Sequence, residues 1–283
     1  MLTLNDITEL RTHLNSQRRD GQRIALVPTM GNLHAGHLAL VDAARRDADV
    51  VVTTIFVNPL QFGAGEDFER YPRTLEADTQ ALASHGCDIV FAPSAEMLYP
   101  QGHDHHTQVS VPQISEGLCG ANRPGHFTGV ATVVSLLFHL VQPDLAYFGR
   151  KDYQQLTVIR KMVADLHFPI DIVDVPTQRA EDGLALSSRN AYLSTAERQR
   201  APALYRTLSQ VRDALQDGEL PASALREGLA NLTADGFKPD YLELRRAWDL
   251  GPVALDTRET ILLVAAHLGT TRLIDNLPVS LPR

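Results

Sequence analysis

Residues 50–57 read Val-Val-Val-Thr-Thr-Ile-Phe-Val, eight positions of β-branched and aromatic side chains in which apolar and polar residues do not alternate. A strand without alternation meets water on neither face, so it belongs to a sheet covered by helices on both sides. The same constraint recurs through the first half of the chain. Apolar runs at 24–27, 88–91, 145–148 and 170–175 are separated by helical patterns at 37–48, 72–85, 127–141 and 152–166. Strands that alternate with helices form βαβ crossovers and a parallel sheet. The expected fold is therefore α/β, a Rossmann-like doubly wound parallel sheet with a second, smaller α+β domain. After Pro176 a polar loop, 178–190, precedes helical patterns at 195–216 and 221–235, and β-like segments follow at 241–247, 260–268 and 272–277. We expect a nucleotide-binding domain at 1–176 and a smaller lid domain at 177–283. An all-helical cap with a β extension is the alternative for the second.

A formal net charge of −8 over 283 residues argues against a nucleic-acid partner, because binding a polyanion rests on clustered Lys and Arg. The two cysteines, Cys87 and Cys119, form no C-x-x-C pair and no zinc spacing, which suits a reducing compartment. Residues 1–11 carry Asp6 and Glu9 and lack the basic start and apolar core of a signal peptide. With no apolar run of about 18 residues, no membrane span is expected. These features together give a cytoplasmic expectation.

The chemistry concentrates at Pro28-Thr29-Met30-Gly31-Asn32-Leu33-His34-Ala35-Gly36-His37, between the first confident strand and the following helix. Ligands of open α/β sheets bind beyond the carboxyl ends of the strands, where a helix N-terminus offers N–H groups and partial positive charge to phosphate. Gly36 would let backbone and nucleotide approach closely. His34 and His37 would both face the phosphates, as donors aimed at charge developing on phosphate oxygens. No G-x-G-x-x-G follows the first strand and no Gly-Lys dipeptide occurs, so the dinucleotide fingerprint and the P-loop are absent. What remains is the H-x-G-H class of nucleotidyl transferases. That class needs further cations for the triphosphate, and two segments offer them: Gly149-Arg150-Lys151-Asp152-Tyr153-Gln154-Gln155 and Ser187-Ser188-Arg189-Asn190. Small hydroxyls beside an Arg in a loop suit a phosphate clamp.

Five blocks, in order, now resemble the pantothenate synthetase family over nearly the whole chain: P-T-M-G-N-L-H-A-G-H from Pro28, F-V-N-P-L-Q-F from Phe56, L-C-G-A-N-R-P-G-H-F from Leu118, G-R-K-D-Y-Q-Q from Gly149 and L-S-S-R-N from Leu186. Leu186 stands where the family commonly has methionine. The resemblance implies an AMP-forming ligase that condenses pantoate with beta-alanine through a pantoyl-adenylate, releasing AMP and pyrophosphate. It implies ATP as a substrate and Mg2+ held by phosphate and water rather than by protein ligands. It further implies a homodimer. By the same resemblance, His34, His37, Lys151, Ser187, Ser188 and Arg189 are catalytic, and Met30, Gly36, Gly149, Arg150 and Asp152 join them in binding ATP. Gln61 and Gln155 would read pantoate, within an apolar wall of Pro28, Met30, Phe62 and Val134 in the 1–176 domain. Asn58, Arg123 and His126 take supporting roles.

His103, His105 and His106 suggest a metal cluster, but with no further ligand nearby in sequence we read a solvated loop. Trp248 could belong to a core or an interface. Two rivals stand beside the ligase reading. A transferase for a phosphate-bearing substrate would need an additional cationic pocket near Gln61 and Gln155, and a sensor that has lost catalysis would show a lesion in the motifs. A tRNA synthetase is disfavoured by the acidic charge and by the short remainder after residue 176.

Overall fold

The computed structural model of the chain describes residues 1–63 and 65–282. It forms two compact units, one of Met1–Arg150 with Val158–Pro176, the other of Lys151–Thr157 with Thr177–Arg283. Among the described residues no helix is long and apolar enough to cross a membrane.

The first unit contains β1 (Leu2–Leu4), α1 (Ile7–Arg19), β2 (Ile24–Thr29), α2 (Ala35–Asp47), β3 (Val50–Ile55), α3 (Leu75–Ser84), β4 (Ile89–Phe91), α4 (Ala95–Leu98), α5 (Cys119–Asn122), α6 (His126–Val141), β5 (Leu145–Gly149), the end of α7 (Tyr153–Asp165) and β6 (Asp171–Val175). Its strands form one sheet in the order β1-β4-β3-β2-β5-β6, and every neighbouring pair is parallel. From β2 the chain winds outward through β3 and β4, then returns to the other side of β2 for β5 and β6. Winding therefore reverses beside β2, the position where loops diverge and leave a ligand crevice in such sheets. Met30 and Arg150 are the residues that leave β2 and β5 there.

Burial explains the unalternating strands. Ala25 and Val27 pack with Val51, Val90, Tyr147 and the Leu40–Val41–Ala44 face of α2, while Ile24 and Leu26 point the other way and are equally buried. Each fully buried Val, Leu or Ile contributes about 1.5–3 kcal/mol. β3 stops at Ile55, two residues short of the expected strand, because Phe56 and Val57 lead into a 3-10 turn at Pro59–Gln61 that Asn58 caps. Two N-terminal elements lack a strong sequence pattern. β1 has only three residues, and α1 declares itself through the Asp6 cap, whose Oδ1 accepts the Thr8 and Glu9 N–H groups at 2.8 and 3.0 Å.

The second unit contains α8 (Thr195–Arg200), α9 (Ala203–Gln216), α10 (Pro221–Ala234), β7 (Lys238–Arg246), β8 (Glu259–Leu268) and β9 (Thr271–Ser280). The sheet β7-β8-β9 is antiparallel. Leu204, Leu208, Val211 and Leu215 of α9 pack with Leu262, Val264, Leu273 and Leu277, which makes this unit α+β rather than all-helical. The single helix expected over 195–216 is two helices, α8 and α9, because Pro202 has no N–H to donate and its ring obstructs the preceding turn.

One close approach sets how α6 meets the turn before α3. α6 crosses the turn at Pro59–Gln61 at Gly129, where a Cβ would lie 2.2 Å from the Leu60 carbonyl oxygen and 2.7 Å from the Gln61 nitrogen. Both atoms are backbone and cannot rotate away. Gly129→Ala should therefore lower stability by about 1–3 kcal/mol, read as a lower urea midpoint, even though alanine is the better helix former.

Candidate active site

The loop leaving β2 turns through two consecutive left-handed residues, Gly31 (φ 80°) and Asn32 (φ 51°). Their conformation aims the N–H groups of Asn32 and Leu33 at one buried carboxylate, Asp78 of α3, at 2.9 and 2.8 Å. Thr74 adds its hydroxyl to Asp78 at 3.1 Å. The φ of Gly31 favours glycine, and a Cβ there would also crowd Asp78 Oδ2 and Ile55 Cγ2 at 3.0 Å. Asp78 was not among the residues singled out by sequence, and nothing local marks it.

That turn delivers His34 as the N-cap of α2. The Nδ1 of His34 accepts the Gly36 N–H at 3.0 Å, and the Nδ1 of His37 accepts the His34 N–H at 3.3 Å. The two rings lie 4.1 Å apart, tilted by 38°. A nitrogen that accepts a hydrogen bond carries no proton, so in each neutral imidazole the proton sits on Nε2. The first-turn N–H groups are less available to phosphate than the sequence suggested: Gly36 bonds the His34 ring, and His37 bonds the His34 carbonyl at 2.8 Å. The donor that each neutral ring carries is its Nε2–H.

A second cluster gathers around Gln61. Tyr99 donates its hydroxyl to Asn58 Oδ1 at 2.8 Å, and Asn58 Nδ2 donates to the Gly129 carbonyl and to Gln61 Oε1, both at 3.1 Å. Burial pushes the Tyr99 phenol well above its ordinary range, so it stays a donor. With its oxygen engaged, Gln61 presents Nε2, which rests 3.0 Å from the Met30 sulfur. The backbone carbonyl of Gln61 accepts from His126 Nδ1 at 2.7 Å and from Arg123 Nη2 at 3.2 Å. Because a carbonyl only accepts, His126 carries its proton on Nδ1, leaving Nε2 to accept from Arg123 Nη1 at 3.0 Å.

Arg123 also forms a bidentate pair with Glu66, at 2.7 and 2.6 Å. Burial alone would raise the Glu66 pKa. The hydrogen bond and charge of Arg123, with lesser help from Gly63 and His126, outweigh it and hold the carboxyl below its usual range. Phe62 stacks edge-on against Phe68 and Tyr71, and Val134 is buried in α6. Pro28 lies in β2, half-buried, and Gly149 closes β5. Arg150 pairs with Asp174, which Arg160 also engages.

The second unit holds the remaining candidates. Lys151 sits in the 3-10 turn Arg150–Asp152, with its ammonium 3.7 Å from Asp152 and its side chain 18% exposed. Gln155 follows, half-buried, in α7, whose Tyr153 hydroxyl donates to the Ala247 carbonyl at 3.0 Å. Ser187 caps the 3-10 turn Ser188–Tyr192 through the Arg189 N–H at 3.3 Å, and Asn190 Nδ2 ties that turn to the Ala185 carbonyl at 3.0 Å. His103, His105 and His106 lie on an exposed turn, His106 beneath the Tyr99 ring edge, and among the described residues no three His, Cys, Asp or Glu side chains converge as a metal cage.

A profile of the family described as Pantoate-beta-alanine ligase matches residues 2–278. The chain belongs to that family. It is 82% identical over 283 residues to a pantothenate synthetase of Chromohalobacter salexigens, covering 100% of both, and 58% identical over 282 residues to one from Pseudomonas putida, covering 99% of this chain and 98% of that one. Among solved structures it resembles pantothenate synthetase from Thermus thermophilus at a TM-score of 0.92 and 50% identity, covering 98% and 99% of the two chains. It also resembles the pantoate-beta-alanine ligase of Francisella tularensis, complexed with beta-gamma ATP and beta-alanine, at a TM-score of 0.82 and 34% identity, covering 98% and 97%.

Two measurements follow from this geometry. Asp78→Ala leaves two N–H groups without their acceptor and should cost about 1–3 kcal/mol of stability in urea denaturation. Because the Glu66 pKa is depressed on folding, its contribution is present above the ordinary value of 4.5 and lost as pH falls through the lower folded value. The stability gap between the wild-type chain and Glu66→Gln should therefore be wide at neutral pH and close below that value, as followed by denaturation midpoints across pH.

Proposed function

We propose that the chain joins pantoate to beta-alanine, the ligation that names its family, in two steps with ATP as the activating substrate. In the first, a pantoate carboxylate oxygen attacks the α-phosphorus. The new C–O–P linkage forms as the bond to the β-phosphate breaks, and the electron pair leaves on pyrophosphate. In the second, the neutral amine of beta-alanine attacks the acyl carbon, losing a proton as the C–N bond forms and AMP departs. The observation that carries this reading is the His34–His37 pair, whose bound Nδ1 atoms fix both Nε2–H groups as donors for charge developing on phosphate oxygens.

The remaining roles rest on the family resemblance together with the chemistry of the side chains. Lys151 and Arg189 supply positive charge, and Ser187 and Ser188 supply small donors for the triphosphate. Mg2+ would arrive on phosphate oxygens and water, since imidazole, ammonium, guanidinium and hydroxyl groups suit phosphate better than a hard cation. Gln61 offers pantoate an amide whose donor end is set by Asn58, and Gln155 is assigned the same substrate. A phosphate-bearing acid in place of pantoate fits less well, because the charge of Arg123 beside Gln61 is cancelled by Glu66.

The test is radiolabel exchange between pyrophosphate and ATP with magnesium and pantoate and without beta-alanine. Exchange should require pantoate and fall by about two orders of magnitude or more in His34→Ala and Lys151→Ala. Gln61→Ala should chiefly raise the KM for pantoate, by about ten- to a hundredfold, as expected when a buried substrate hydroxyl loses its partner. Pantoate-independent exchange, or none at all, would remove the adenylate from the proposal.

A further inference from the structure

Within the second unit, the segments bearing Lys151 and Ser187–Arg189 are both tied to one step of one strand. Asp275 and Asn276 are consecutive in β9, 3% and 5% exposed, and successive strand residues face opposite sides of a sheet. On the side of Leu273 and Leu277, Asp275 receives a bidentate pair from Arg179 at 2.6 and 2.8 Å. That guanidinium lies 3.8 Å over the Tyr205 ring and donates to the Gly183 carbonyl at 3.1 Å. Arg179 bridges to Ala185, and the Leu186 N–H bonds the Gln178 carbonyl at 2.9 Å, so the ion pair anchors the hairpin that runs directly into Ser187. On the opposite side, Asn276 Nδ2 donates to the backbone carbonyl of Lys151 at 2.9 Å. The Asn276 N–H bonds Asp275 Oδ1 at 2.8 Å, so the two anchors share an atom.

We infer that the Asp275–Asn276 step is a positioning element for adenylate formation, holding the backbones of Lys151 and of the Ser187–Arg189 turn in a fixed relation. The inference rests on the phosphate roles proposed above for those residues. A lysine ammonium at the end of a flexible four-carbon stem is placed no better than the backbone that carries it. Misplacement of about 1 Å can cost on the order of a hundredfold in rate. A buried ion pair is a weak device for stability alone, since apolar residues of the same volume often serve as well, whereas its bidentate geometry fixes orientation.

Asn276→Leu keeps the branched shape of the side chain, with two methyl groups in place of the amide oxygen and nitrogen, and removes the donor. In pantoate-dependent exchange it should run about tenfold slower at saturating ATP, with the KM for pantoate within about twofold of wild type. Placed on Lys151→Ala it should cause no additional loss, because it acts through that residue. Losses that multiply in the double variant mark a general packing defect and overturn the inference. Wild-type exchange in Asn276→Leu, with Lys151→Ala impaired, also overturns it and leaves the phosphate assignment standing. Wild-type exchange in Lys151→Ala overturns that assignment instead. If Asn276→Leu does not fold, Asn276→Ala enters the same cycle with the same outcomes.

Discussion

The geometry of the H-x-G-H turn in the first unit depends on a carboxylate that binds the backbone before it, Asp78. Asp78 accepts two backbone N–H groups and one hydroxyl at 2.8–3.1 Å, and these bonds hold the left-handed turn at Gly31 and Asn32. Its position near the start of α3 suits a buried negative charge, since the helix N-terminus is positive. Everything downstream follows from that turn. It sets where α2 starts, makes His34 the cap, and lets each imidazole accept a backbone N–H on Nδ1. The tautomer of two histidines is thus decided by a carboxylate more than forty residues away in sequence.

The Gln61 cluster obeys the same logic with neutral groups. A backbone carbonyl can only accept, so Gly129 settles which end of the Asn58 amide is nitrogen; that leaves Oδ1 to accept from Tyr99, and Asn58 Nδ2 in turn settles Gln61. A buried amide left to choose its own orientation would present a donor or an acceptor to the substrate with similar energy, and discrimination between hydroxyl patterns would weaken. Gly129 belongs to this arrangement because its missing side chain lets the α6 backbone reach Asn58 Nδ2 directly.

Local features were legible in the sequence, and distant ones were not. The parallel sheet announced itself at residues 50–57, because burial on both faces abolishes alternation. The H-x-G-H turn was legible because its residues are contiguous and follow a strand. Pro202 marks the division of α8 from α9 in the sequence, within an apolar pattern that otherwise runs on unbroken. Asp78, Tyr99, Gly129 and the Asp275–Asn276 step were hidden for a different reason. Each acts on a partner far along the chain, and an isolated Asp, Tyr, Gly or Asn gives no sign of which distant backbone group it will meet once the chain has folded.

Two of the bidentate arginine pairs cancel charge in different units, with different consequences. Arg123 and Glu66 cancel beside Gln61, so the polar groups gathered there are mainly neutral dipoles, suited to hydroxyls. Arg179 and Asp275 cancel inside the second unit, which confines their effect to geometry and leaves the positive character of that unit's candidate site to Lys151 and Arg189. In a chain of net charge −8, the triphosphate site proposed above cannot draw on a general positive field. Its affinity has to come from a few donors held at fixed positions, and buried polar residues, Asp78 in the first unit and Asp275 with Asn276 in the second, tie down the backbone that carries them.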